Sequence, residues 1–154
     1  MRDELVGKTF FIKSALWYSA DGDTRRGRKF VPVRITGIQP YSDDYVAMVQ
    51  ISDVQTGASS AVLMSQNAGN PTRPFDELFS ISDPRLQYPE TTDANWNAIC
   101  SSQVNDGMTR REVMAALGAP ATIDRGVNQS AAFERWSYRD GVSLIFVDGI
   151  LSKR

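Results

Sequence analysis

The chain has 154 residues, 42% of them hydrophobic and 23% charged, the balance of a folded protein rather than a disordered one. Lys plus Arg (17) nearly cancel Asp plus Glu (18), and residues 1–80 hold nine of each, so neither half carries the basic excess of a nucleic-acid binder. No histidine and a single cysteine, Cys100, remove the usual neutral-pH base, the commonest metal ligand and any intrachain disulfide.

The first 65 or so residues read as β structure. Segments near Leu5–Lys13, Phe30–Gln39, Tyr45–Asp53 and Ala58–Ser65 are rich in Val, Ile, Phe and Thr, and Asp21-Gly22-Asp23, Ser42-Asp43-Asp44 and Thr56-Gly57 supply turns between them. Val31, Val33 and Ile35 alternate with Pro32, Arg34 and Thr36, and Ala47, Val49 and Ile51 alternate with their neighbours, the period of half-buried strands. Four or five short strands over this length predict a small barrel, with Leu16–Lys29 as its long first loop.

Residues 66–91 combine Gly69, Pro71, Pro74, Pro84 and Pro89 with Phe75, Leu78, Phe79, Ile81, Leu86 and Tyr88. The prolines oppose regular structure, while the large apolar side chains predict an ordered, packed segment with a helical turn at Phe75–Phe79.

A helix is predicted from Asp93, as N-cap, to about Val104, with Trp96, Ile99, Cys100 and Gln103/Val104 at helical spacing. A second follows, specified by Thr109-x-x-Glu112 as a capping box, Met108 and Val113 as a hydrophobic staple, and Gly118 and Pro120 as its stop. Strands near Phe133–Arg139, Val142–Val147 and Ile150–Lys153 come next, with Asp140-Gly141 and Asp148-Gly149 as two-residue hairpin turns. That register sets Arg139 opposite Val142, Trp136 opposite Ile145, Val147 opposite Ile150 and Phe146 opposite Leu151. One face then carries Trp136, Tyr138, Ile145, Val147 and Ile150, and the other Phe133, Val142, Leu144, Phe146 and Leu151. Two apolar faces predict a sheet covered on both sides.

The ordered string Gly107-Met108-Thr109, Glu112-Val113, Leu117-Gly118, Pro120, Glu134, Trp136, Tyr138, Leu144, Phe146, Gly149 and Leu151 resembles the SmpA/OmlA (BamE-like) module. Its fold is shared with the β-lactamase-inhibitor proteins. The resemblance covers residues 93–154, and residues 1–65 are similar to bacterial SH3-like domains in strand count and length. Together these predict an α+β chain: an SH3-like β domain over 1–68, an ordered connector over 69–91, and a BamE-like helix-helix-three-stranded meander over 92–154. Members of the module family are mostly exported bacterial proteins, often lipoproteins, that scaffold envelope assemblies or bind other proteins. The β-rich domain ahead of the module and the missing lipobox cysteine depart from the membrane-assembly lipoprotein itself.

Candidate binding residues are Trp17, Tyr18, Arg25, Arg26 and Arg28 of the first loop, where aromatics and a basic run fit an anionic ligand or peptide, and Trp136 and Tyr138 of the meander. The plainer readings are a solvated loop, with Asp21 and Asp23 as counter-charges, and a core. Asp21-Gly22-Asp23 lacks the remaining ligands of a calcium loop. Cys100 has no base to activate it and reads as buried packing. The sequence thus predicts a non-enzymatic envelope protein, without cofactor or metal, that binds another protein or a wall component. An inhibitor or immunity protein that blocks a partner enzyme is the alternative. No apolar run is long enough for a membrane span. Export places the protein in the periplasm or envelope if a removed signal preceded Met1, and in the cytoplasm otherwise; oligomeric state is left open.

Overall fold

The computed structural model describes residues 2–19, 23–42, 46–65, 75–128 and 131–153, and the turns expected at Asp21-Gly22 and Asp43-Asp44 lie outside them. The chain is α+β and divides into two compact units, residues 1–89 and 90–154.

The first unit is built on one curled antiparallel sheet. Its strands are β1 (Thr9–Ile12), β2 (Leu16–Tyr18), β3 (Thr24–Arg26), β4 (Pro32–Ser42), β5 (Val46–Asp53), β6 (Ser59–Ser65) and β7 (Phe79–Ser80), in spatial order β3-β2-β6-β5-β4-β1-β7. Strand alternation fixes the core: Ile12, Val33, Ile35, Val49, Ile51 and Val62 are all at most 1% exposed, each worth about 1.5–3 kcal/mol on burial. Two sequence expectations change here. Leu5–Lys13 is not one strand, since a helical turn, α1 (Arg2–Leu5), precedes β1. Leu16–Lys29 is not an open loop either, because β2 and β3 pair within it as a hairpin, Trp17 opposite Arg25.

The connecting segment contributes to this unit. Helical turn α2 (Phe75–Leu78) leads into β7, which pairs with β1 and brings Phe75 and Phe79 against Phe10, with ring centroids 5.2 and 6.0 Å away. Ile81 and Leu86 depart from the expected packing, standing 84% and 75% exposed around a short 3-10 turn (Pro84–Gln87).

The second unit carries α3 (Asp93–Cys100), α4 (Arg110–Leu117) and strands β8 (Thr122–Asn128), β9 (Ala131–Ser137), β10 (Ser143–Val147) and β11 (Ile150–Lys153), in antiparallel order β11-β10-β9-β8. Thr92, rather than Asp93, caps α3: its extended backbone lets the hydroxyl accept from Asn95 N at 3.2 Å, leaving Asp93 in the first turn, where its charge suits the helix dipole. The helix stops at Cys100, short of Val104. Ser102 takes φ +57°, and Gln103 N donates back to Ala98 O at 2.8 Å, the closing bond of a Schellman motif. Helix α4 has the expected box, with Glu112 N donating to Thr109 Oγ1 (3.2 Å) and Thr109 N to Glu112 Oε1 (2.9 Å). Met108 and Val113 are fully buried, and Gly118 has φ +82°.

Strand β8 was not expected. Asp, Arg, Gly and Asn are poor strand formers, but an edge strand needs only one hydrogen-bonded neighbour, and β9 supplies it. The opposite edge is closed, because Gly107 N donates to Leu151 O and Leu151 N to Met108 O.

Candidate functional site

The register of β9 and β10 decides which side chains the second unit displays. Asp148-Gly149 forms the expected two-residue turn, with φ +51° and +84°. Asp140-Gly141 does not. Gly141 N donates to Tyr138 O and Tyr138 N to Val142 O, so the loop has three residues and only Gly141 has positive φ. Trp136 therefore faces Leu144, not Ile145, and every β10 side chain changes company.

The inner face gathers Glu134, Trp136, Leu144, Phe146 and Leu151, all between 0% and 8% exposed. Helix α4 lies on this face. Glu134 is its charged centre: Oε2 accepts from Arg110 Nε at 2.8 Å and from Nη2 at 2.5 Å, and Oε1 accepts from Trp136 Nε1 at 2.9 Å. These bonds hold the Glu134 carboxyl below its ordinary pKa, Arg110 contributing most, then Trp136, against the opposing effect of burial. Tyr138 Oη donates to Gly118 O at 2.9 Å, tying the end of α4 to β9, and burial beside Asp140 pushes its pKa up.

The outer face is different. Its central row runs Gly126, Phe133, Val147, Ile150 across all four strands, each opposite the next. Phe133, Val147 and Ile150 are 37–43% exposed, and the row beside them is Asp124, Arg135 and Ile145. Gly126 has a specific role: a Cβ there would meet the Phe133 ring at 2.6 Å, so the missing side chain lets the ring lie over β8. The result is an apolar ladder beside a charged row, the make-up of a protein-contact patch.

The sequence-predicted residues fall in three places. Trp17 is a core residue, 4% exposed; its Nε1 donates to Ser14 O, and its ring lies where a Gly27 side chain would be. Trp136 is likewise core, at 3%, and Tyr138 is half-buried with its hydroxyl engaged. Tyr18 and Arg28 are half-buried, Arg26 is exposed, and the Arg25 side chain lies outside the described residues. The structure groups Tyr18, Arg26 and Arg28 on and beside one hairpin but places neither tryptophan on a surface. The residues that sequence reasoning missed are Phe133, Val147 and Ile150 as one exposed row. Reading Tyr138-Arg139-Asp140-Gly141 as a type I turn with Gly at its last position would have set Phe133 on the face of Val147 and Ile150.

Cys100 is 1% exposed. Among the described residues, no group of three or more Cys, Asp or Glu could hold a metal ion, and no helix is long and apolar enough to cross a membrane. No family model, curated protein or solved structure matches this chain.

Proposed function

We propose that this chain is a non-catalytic bacterial envelope protein that binds another protein through the outer face of its four-stranded sheet. The observation carrying this reading is the Phe133–Val147–Ile150 ladder, aligned in register and open to solvent beside a charged row. An aromatic side chain within an exposed apolar row is the composition of an interface centre. The hairpin residues Tyr18, Arg26 and Arg28 form a secondary candidate surface for an anionic segment.

A photo-crosslinking side chain at Ile150, introduced into the protein in its source cells, tests the proposal. One discrete adduct in the envelope fraction is expected, its partner identified by mass spectrometry and rebound by the purified chain. Val147→Gln should abolish it. Absence of any adduct at Ile150, or an adduct indifferent to Val147→Gln, contradicts the outer-face reading. A partner that proves to be an enzyme inhibited on binding converts the scaffold reading into the inhibitor one.

A further inference from the structure

Strand β8 is the open edge of the second unit's sheet. Seven residues long, it pairs with β9 on one side and, among the described residues, with no strand on the other. An edge of that length presents a row of backbone donors and acceptors to any extended chain. Proteins usually blunt such an edge by covering it or crowding it with charge. Here the side chains on its inner-face side are Ile123, Arg125 and Val127, in register with Trp136, Glu134 and Ala132. Ile123 and Val127 are 37% and 79% exposed, and the Arg125 side chain is 71% exposed.

The charge on this row is unbalanced. Glu134 is already engaged by Arg110 at 2.5–2.8 Å, and Arg125 reaches it only at 3.9 Å. Two guanidinium groups thus share one carboxylate, and the surplus positive charge sits at the middle of the open edge. We infer that β8 binds an extended peptide segment of a partner protein by strand addition, selecting an acidic side chain two positions from an apolar one on either side. Side chains alternate faces along a strand, so positions two apart on the incoming chain fall opposite Ile123, Arg125 and Val127. Backbone hydrogen bonds supply the affinity and the alternate side chains the choice of sequence.

A second copy of this chain meets like charges in two of the registers open to it. The antiparallel register that matches Ile123 to Val127 sets Arg125 against Arg125, and a neighbouring register sets Asp124 against Asp124. Like charges directly opposite one another disfavour pairing.

This inference rests on reading the four-stranded sheet as a protein-binding element but uses its edge rather than its outer face. The probe is a soluble seven-residue peptide alternating Thr with Val, Glu and Val, and a control with Lys at the centre. Titration into the full chain is followed by amide exchange along β8 and by fluorescence anisotropy of the labelled peptide. The Glu peptide is expected to slow exchange within 122–128 and to bind more tightly than the Lys peptide. Arg125→Glu should weaken the Glu peptide by roughly tenfold, replacing a cross-strand attraction with a repulsion of similar size, and should restore the Lys peptide. Arg125→Gln, a milder exposed change, should bring the two peptides level. Val147→Gln should leave the peptide titration unchanged, which separates failure at the edge from failure of the outer-face reading. Three results would overturn the inference: unchanged β8 exchange at millimolar peptide, equal affinity for both peptides with Arg125 present, or a concentration-dependent dimer already protecting β8.

Discussion

The two faces of the four-stranded sheet come from the same strands yet answer to different demands. On the inner face, Phe146, Leu144 and Leu151 are nearly inaccessible, and even the charge of Glu134 is enclosed, with Arg110 and Trp136 satisfying its oxygens. On the outer face, Phe133, Val147 and Ile150 keep more than a third of their surface exposed. The inner face specifies the fold, and the outer face is free to be specified by something else. A sheet fully occupied with its own stability would alternate apolar with polar residues; this one spends apolar side chains where folding gains little from them.

The largest test of that contrast is Phe146→Ala. The ring is fully buried and lies 4.5 Å from the Trp136 ring, centroid to centroid, so its removal should cost about 3–5 kcal/mol. Urea unfolding followed by exchange of β10 amides measures it, and a cost below about 1 kcal/mol would break the inner-face account. Glu134→Gln comes next, at about 1–3 kcal/mol for the lost charge-assisted bonds at neutral pH. Its pH profile is sharper. Because the folded-state pKa is depressed, the contribution of Glu134 is complete above the ordinary carboxylate range and disappears as pH falls through the lower folded value. The wild type should lose that increment in acid and the Gln variant should not; parallel acid profiles would show that Glu134 contributes nothing.

Smaller effects sharpen the local part. Thr109→Ala removes the hydroxyl of the capping box and should cost about 1 kcal/mol in the same unfolding experiment. Ser102→Gly should change stability in the other direction, by roughly 0.5 kcal/mol, relieving a side chain held at φ +57° but paying backbone entropy in the unfolded chain. A loss instead of a gain would mean that the Ser102 side chain stabilises the end of α3.

These particulars also mark how far the sequence carries. Local signals with fixed geometry were legible: the Thr109–Glu112 box, the stop at Gly118, the Asp148-Gly149 turn and the alternation of Val31, Val33 and Ile35. The Asp140-Gly141 pair was ambiguous, because Asp-Gly serves a two-residue turn and the end of a three-residue loop equally well. That single residue moved Trp136 and Tyr138 from the face of Val147 and Ile150 to the face of Leu144 and Phe146, and set Phe133 beside Val147 instead. Strand β8 escaped notice because its residues have little strand preference of their own and gain the conformation from pairing with β9. Trp17 looked like a surface aromatic because nothing local announces that Gly27 leaves room for its ring.

A substitution with a small expected stability change carries the central claim. Val147→Gln places a polar side chain at the middle of the outer row and should cost no more than about 1 kcal/mol in urea unfolding, while eliminating the crosslinked adduct at Ile150. A variant that keeps the adduct, or that loses more than about 2 kcal/mol as an inner-face residue would, contradicts the division of labour between the two faces.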